Sequence, residues 1–129
     1  MRNSAKVGLG MCAGFGLGVI AVQAIHAQAQ PPAYVISEID VTNAEAYAKE
    51  YVPLANKALA DSGQKRFASG GKTISISGTP PASRIVISAF ESLDKAKSAY
   101  TSPAYLEARK IGDKYGKLRI FAVEGIATK

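Results

Sequence analysis

RIVISAFESLDKAKSAYTSPAYLEARKIGDKYGKLRIFAV, residues 84–123, reads as strand, helix, helix, strand. Arg84 to Phe90 is an apolar run rich in β-formers, with Ile85 and Ile87 on one side and Val86 and Phe90 on the other. Ser92 is placed to cap a short helix through Tyr100. Ser102 followed by Pro103 marks a second helix start, with proline where its missing N–H costs nothing. Ala104, Ala108, Ile111 and Tyr115 then share one helical face, and Gly116 allows the helix to stop. Lys117 to Val123 is the closing strand, with Leu118 and Ile120 opposite Phe121 and Val123. Both strands are apolar on both sides, so helices on one face of their sheet leave a second greasy face uncovered.

Upstream, Tyr34 to Val41 alternates as a first strand, with Val35, Ile39 and Val41 on one side and Tyr34, Ile36 and Glu38 on the other. Thr42 three residues before Glu45 predicts a capping box and a helix. Its apolar positions are Tyr47, Tyr51, Leu54, Ala55, Ala58 and Leu59, Gly63 ends it, and Pro53 predicts a kink or break. Lys65 to Ser69, Gly70-Gly71 and Lys72 to Ser77 read as a second strand interrupted by a bulge or bend. Gly78-Thr79-Pro80-Pro81 is the turn of a hairpin with the strand at residues 84–90. The resulting β-α-β-β-α-β order predicts an α+β, ferredoxin-like domain with a four-stranded antiparallel sheet. Covering its second face predicts a homodimer packed sheet to sheet.

The first 29 residues read as a signal peptide and its cleavage region. Arg2 and Lys6 give a positive start, Val7 to Val22 an uncharged apolar stretch, and Ala27-Gln28-Ala29 a small-x-small site. Sixteen apolar-stretch residues, five of them glycine, fall short of the roughly 20 that span a bilayer, so membrane attachment is expected only through an uncleaved leader. Gly8-Leu9-Gly10-Met11-Cys12-Ala13 fits a dinucleotide-binding pattern but follows no strand. Residues 30–33 form a linker, 34–125 the folded domain and 126–129 a tail, and the expected location is periplasmic or secreted. Cleavage removes Cys12 and His26, the chain's only cysteine and histidine. Such a domain has no Ser-His-Asp triad, thiol nucleophile, disulfide or His/Cys metal site, and no metal or cofactor is expected. After the leader, fourteen Lys or Arg face ten Asp or Glu, a mild excess near +4. Lys65-Arg66 and the set Arg109, Lys110, Lys114, Lys117 and Arg119 are the basic concentrations, and the second spans a helix end without interleaved exposed aromatics, so no nucleic-acid partner is expected.

Spread along the domain are Gly70-Gly71-Lys72, Gly78, Arg84, Phe90-Glu91-Ser92-Leu93, Tyr100, Ser102-Pro103-Ala104-Tyr105 and Val123-Glu124-Gly125. In their order and spacing the chain resembles the domain of unknown function 1330 family, within the dimeric α/β-barrel superfamily. That resemblance implies the fold and a dimer, and carries no established reaction. Two positions depart from the family's usual pattern: Ser69 stands where an arginine commonly precedes Gly-Gly, and Ala99 where an aromatic often precedes the tyrosine. Arg66 can take that arginine's place.

Candidate ligand-binding residues are Glu38, Arg66, Arg84, Tyr100, Ser102 and Tyr105. Guanidinium forks at Arg84 and Arg66 suit a carboxylate or phosphate, against the plainer reading of surface or inter-subunit ion pairs. Tyr100, Ser102 and Tyr105 can orient a small organic acid or aromatic ligand in a cleft between helix and sheet. The plainer reading makes Ser102 a helix cap and the tyrosines packing residues. Glu38 is the candidate general base if it points inward, where desolvation raises a carboxyl pKa, and an ordinary solvated carboxylate if it does not. These features predict an exported homodimeric ligand-binding or accessory domain. The alternative they leave is a cofactor-independent enzyme of the monooxygenase, isomerase or decarboxylase kind, as the resemblance implies for related barrels.

Overall fold

In the computed structural model, which describes residues 30–127, the chain from Pro31 to Ile126 folds as one unit. The expected leader lies outside the described residues. Strand β1 (Ala33–Val41) alternates buried and solvent-facing residues, with Val35, Ser37 and Ile39 pointing toward the helices. It leads into a helix of three parts: α1 (Ala44–Ala46), a π-helical turn (Tyr47–Tyr51) and α2 (Val52–Asp61). The start is capped one residue later than the capping-box reading predicts. Asn43 Oδ1 accepts from the Ala46 N–H at 3.1 Å, while the Thr42 N–H donates to the Tyr115 carbonyl at 2.8 Å. The disruption expected at Pro53 takes the form of the π-turn just before it. Proline at the start of α2 has no N–H for the preceding turn and its ring crowds that turn's carbonyl, and a wider turn relieves the clash.

Strand β2 (Lys65–Ser69) follows the left-handed Gly63 and pairs antiparallel with β3 (Arg84–Phe90). The irregularity sits at Phe67, between Arg66 and Ala68, and not at the glycine pair. Residues 71–77, expected to continue the strand, pair with no strand. Helix α3 (Leu93–Tyr100) is capped by Ser92, whose Oγ accepts from the Lys95 N–H at 3.1 Å. Helix α4 (Pro103–Tyr115) is capped by Ser102 and runs directly into β4 (Gly116–Glu124). The sheet order is β2-β3-β1-β4 with every neighbour antiparallel, which is the ferredoxin-like arrangement.

Among the described residues, helices cover one face only. Val35, Ile39, Tyr47, Tyr51, Ala55, Ala58, Leu59, Phe90, Ala96, Ala99, Tyr105 and Ala108 make the core beneath them. Two positions assigned to apolar helix faces, Leu54 and Ala104, are instead exposed, because the π-turn rotates α2 and because Tyr105 takes the inward place on α4. The opposite sheet face presents Tyr34 and Ile36 of β1, Ile85 and Ile87 of β3, and Phe121 and Val123 of β4. Among the described residues no helix is long and apolar enough to cross a membrane.

The helix pair above the core is set by Gly112 of α4, over which the Tyr51 ring lies. A Cβ there would stand 2.7 Å from Tyr51 Cδ2 and 2.8 Å from its Cε2. Alanine normally gains about 1 kcal/mol over glycine inside a helix. Here the overpacking, costing about 1–3 kcal/mol, wins. Gly112→Ala is therefore expected to lower the urea midpoint of unfolding, and a raised midpoint would show that the two helices are free to move apart.

Candidate functional site

Four tyrosines meet between the helices and the sheet. Tyr47 and Tyr51, four residues apart at the two ends of the π-turn, lie on the same side of their helix, with ring centroids 5.0 Å apart. Tyr100, at the end of α3, meets Tyr105 edge to face at 4.9 Å and Phe90 at 5.9 Å. The Tyr51 and Tyr105 hydroxyls are hydrogen-bonded at 3.0 Å in the interior. Gln64 Nε2 donates to the Tyr100 hydroxyl at 3.3 Å.

These phenols border a cavity of about 40 Å³, also lined by Ser37, Val86, Ile120 and two arginines. Its volume suits a few water-sized groups, far below the roughly 300–1,000 Å³ of a drug-sized pocket. Arg84, opening β3, spreads its guanidinium over Tyr47, with Cζ 5.9 Å from the ring centroid, and Nη2 donates to Ser69 Oγ at 3.2 Å. Arg84 Nε is buried and has no hydrogen-bond partner among the described residues. Gly70 lets the guanidinium lie there: it adopts φ +70°, and a Cβ would collide with Arg84 Nη1 and stand 2.9 Å from Cζ. Arg66 stays at the rim, its Nη1 donating to Asn56 Oδ1 at 2.9 Å.

Burial is the main electrostatic influence on the cluster. It pushes the Tyr47 phenol above its ordinary pKa, with the Arg84 charge pulling the other way. Tyr51 is pushed up further by burial and by neighbouring Tyr105. Burial likewise raises Tyr100 against the influence of the Ser88, Ser37 and Gln64 side chains, and raises Tyr105 against Tyr51 and Arg109. At neutral pH the site is a set of neutral hydroxyls beside a fixed cation. It can donate hydrogen bonds to an anion or carbonyl oxygen, and it is poorly suited to accepting a proton.

The candidate residues separate accordingly. Arg66, Arg84, Tyr100 and Tyr105 all border the cavity. Ser102 does not: its Oγ accepts from the Tyr105 N–H at 3.3 Å and donates to the Ala99 carbonyl at 2.9 Å, serving as a cap. Glu38 lies on the other side of the sheet, where Arg119 Nη1 donates to its Oε2 at 2.8 Å. The one-residue offset from Ser37 sends it there, so Glu38, Arg84 and Tyr100 do not converge. Arg109 and Lys110 of the basic set are paired on their own helix with Asp113 and Glu107. Among the described residues there is no cluster of three or more His, Cys, Asp or Glu that could hold a metal. Sequence reasoning placed Tyr47 and Tyr51 only as core residues and passed over Gln64 and Ser37. A small polar Ser37 between inward Val35 and Ile39 was the available signal.

The pattern described as Domain of unknown function (DUF1330) matches residues 32–126, the whole folded unit. The chain belongs to the DUF1330 family. No curated protein sequence matches it. Among solved structures, the RPA0582 protein of unknown function from Rhodopseudomonas palustris is similar at a TM-score of 0.60 and 17% identity, over 75% of this chain and 84% of that one. SnoaB, a cofactor-independent oxygenase from Streptomyces nogalater, is similar at 0.54 and 12%, over 76% and 96%. A conserved protein of unknown function from Bacteroides thetaiotaomicron, described as a possible oxidoreductase, is similar at 0.50 and 8%, over 75% and 100%. At these identities the likeness to this DUF1330 chain is one of fold.

The raised phenols fix the direction of a pH effect. A tyrosine whose folded pKa exceeds its unfolded value of about 10 stabilises the fold fully below that pH. The contribution is lost as pH climbs, because the unfolded chain gives up the proton first. Unfolding free energy measured by urea from pH 8 to 11 is expected to fall steeply beyond pH 10. The fall should be shallower in Tyr51→Phe, and identical slopes in the two proteins would contradict the assignment.

Proposed function

We propose that the chain is an exported homodimeric binding module in which each subunit holds a short organic acid between its helices and sheet. The observation that carries this reading is the buried Nε–H of Arg84, which has no acceptor among the described residues. Leaving a buried charged donor unpaired is costly, and a carboxylate satisfies the guanidinium through two parallel hydrogen bonds. The surrounding phenols, Gln64 and Ser37 add polar groups for its oxygens. Cavity volume decides the ligand's size: about 40 Å³ suits a carboxylate bearing one or two further small groups and is too small for an aromatic ring.

SnoaB is a cofactor-independent oxygenase on a similar fold. Chemistry of that kind here would need a group to take a proton from substrate. The described cavity residues include no carboxylate or imidazole, and burial pushes the phenols away from that role. Binding is therefore the better-supported reading. The dimer is argued from the apolar face carrying Tyr34, Ile36, Ile85, Ile87, Phe121 and Val123, which no helix among the described residues covers. Export is argued from the leader pattern of the first 29 residues.

Short carboxylates such as propionate and lactate are expected to raise the thermal midpoint of the purified chain. Ligand at a hundred times its Kd adds about 2.7 kcal/mol of stability. The corresponding amides should do nothing, and Arg84→Gln should abolish the shift. An equal response to acids and amides, or a response surviving in Arg84→Gln, would refute anion recognition at this arginine. Material recovered from the periplasm or medium is expected to begin at Gln28 or Gln30 on N-terminal sequencing. Recovery of the chain only in the cytoplasm with Met1 intact would remove export.

A further inference from the structure

Two serines interrupt the apolar surface that the sheet turns toward its helices. Along β1 the inward positions are Val35, Ser37 and Ile39, and along β3 alternation makes them Arg84, Val86, Ser88 and Phe90. Ser37 and Ser88 are 5% and 1% exposed. A hydroxyl buried among aliphatic side chains is costly unless it finds a partner. Ser88 Oγ has none among the described residues, a state it shares with Arg84 Nε.

The strand register sets these groups in sequence across the sheet. Ser37 stands opposite Val86, so Arg84 and Ser88, two residues to either side of Val86, are both its diagonal neighbours. Such neighbours lie about 7–8 Å apart on one face of an antiparallel pair. Tyr100 closes the group from the helix side. Its hydroxyl accepts from Gln64 Nε2 at 3.3 Å, which leaves its own proton to be given. Burial raises the pKa of that phenol, and Ser88, Ser37 and Gln64 stand near enough to oppose the rise.

Arg84, Ser37, Gln64 and Tyr100 line the same cavity of about 40 Å³. It therefore has a cationic end at Arg84 and a hydroxyl end at Ser37 and Tyr100. A plain short carboxylate satisfies the first and leaves the second bare. Space for only one or two small groups beyond the carboxylate puts a further polar atom on the adjacent carbon. A hydroxyl there gives and takes hydrogen bonds and a carbonyl only takes them, and serine and tyrosine hydroxyls can answer either.

We infer that the cavity recognises short acids oxygenated on the carbon next to the carboxylate, the 2-hydroxy and 2-oxo acids, with Arg84 holding the carboxylate and Ser37 and Tyr100 meeting the second oxygen. The inference rests on the carboxylate reading proposed above and names the class of acid. Ser88 lies behind the lining, where it can take up the hydrogen bond that Ser37 or Tyr100 does not make to the ligand.

Calorimetric titration of the full chain with acids matched in pairs tests this: glycolate against acetate, and lactate or pyruvate against propionate. Within a pair the charge and carbon skeleton are constant and only the second oxygen changes. The oxygenated acids should bind at least about tenfold more tightly than their partners, because a site built to bond a polar group rejects the analogue that lacks it. Whichever of lactate and pyruvate binds better tells whether the second oxygen gives a proton. At least one of Ser37→Ala and Tyr100→Phe should bring the preference over propionate down to about twofold or less. Equal affinities within each pair, with binding still lost in Arg84→Gln, overturn the two-ended site and leave carboxylate recognition standing. A preference that persists undiminished in both Ser37→Ala and Tyr100→Phe overturns the placement of the second oxygen. Binding that survives Arg84→Gln, or no binding of any of these acids, overturns both readings.

Discussion

The hydrogen bond between the Tyr51 and Tyr105 hydroxyls, 3.0 Å long and buried, ties the first helix to α4 above the sheet. A buried hydroxyl left without a partner costs about 1–3 kcal/mol, so each phenol is tolerated only because the other is there. Satisfying the pair fixes the spacing between the Tyr47–Tyr51 turn and α4. That spacing puts the Tyr51 ring against the one residue of α4 with no side chain, Gly112, and leaves beneath it the narrow cavity that Tyr100 and Arg84 border. Packing, polarity and cavity size all follow from one contact.

Arg84 is the second fixed point. A guanidinium laid across an aromatic face and bonded to a serine is held in orientation as well as place. Gly70 contributes by what it lacks, since any side chain there would occupy the guanidinium's position. Ser69 beside that glycine supplies the hydroxyl that accepts from the guanidinium.

Most of the fold was legible because alternation in strands and caps at helix starts are local signals. Ser92 and Ser102 cap the helices they precede, and β1, β3 and β4 lie within a residue or so of where periodicity puts them. The misreadings share a cause. Residues 71–77 look like a strand from within, but a strand exists only where a second backbone meets it, and none does among the described residues. At the site, Arg66, Arg84, Tyr100 and Tyr105 were picked out by residue chemistry. Glu38 was picked out the same way and lies across the sheet, because its side is set by a parity that Ser37 makes easy to discount. Tyr47 and Tyr51 share a helix face by their spacing of four, but that spacing reads the same whether the face meets plain core or a polar cavity, so they went unassigned to the site.

That π-turn places the helix out of phase with itself. Relative to a regular α-helix it holds one residue more than the geometry of its two ends requires, and the surplus rotates everything before it by roughly 100° relative to everything after it. Tyr47 at the head of the turn and the inward face of α2, with Ala55, Ala58 and Leu59, are each correctly aimed only because the surplus lies between them. Excising a single residue between Tyr47 and Tyr51 to regularise the coil would keep one of these alignments and forfeit the other. The chain's length at this point is thus as much a part of the binding chemistry as any side chain in the cavity.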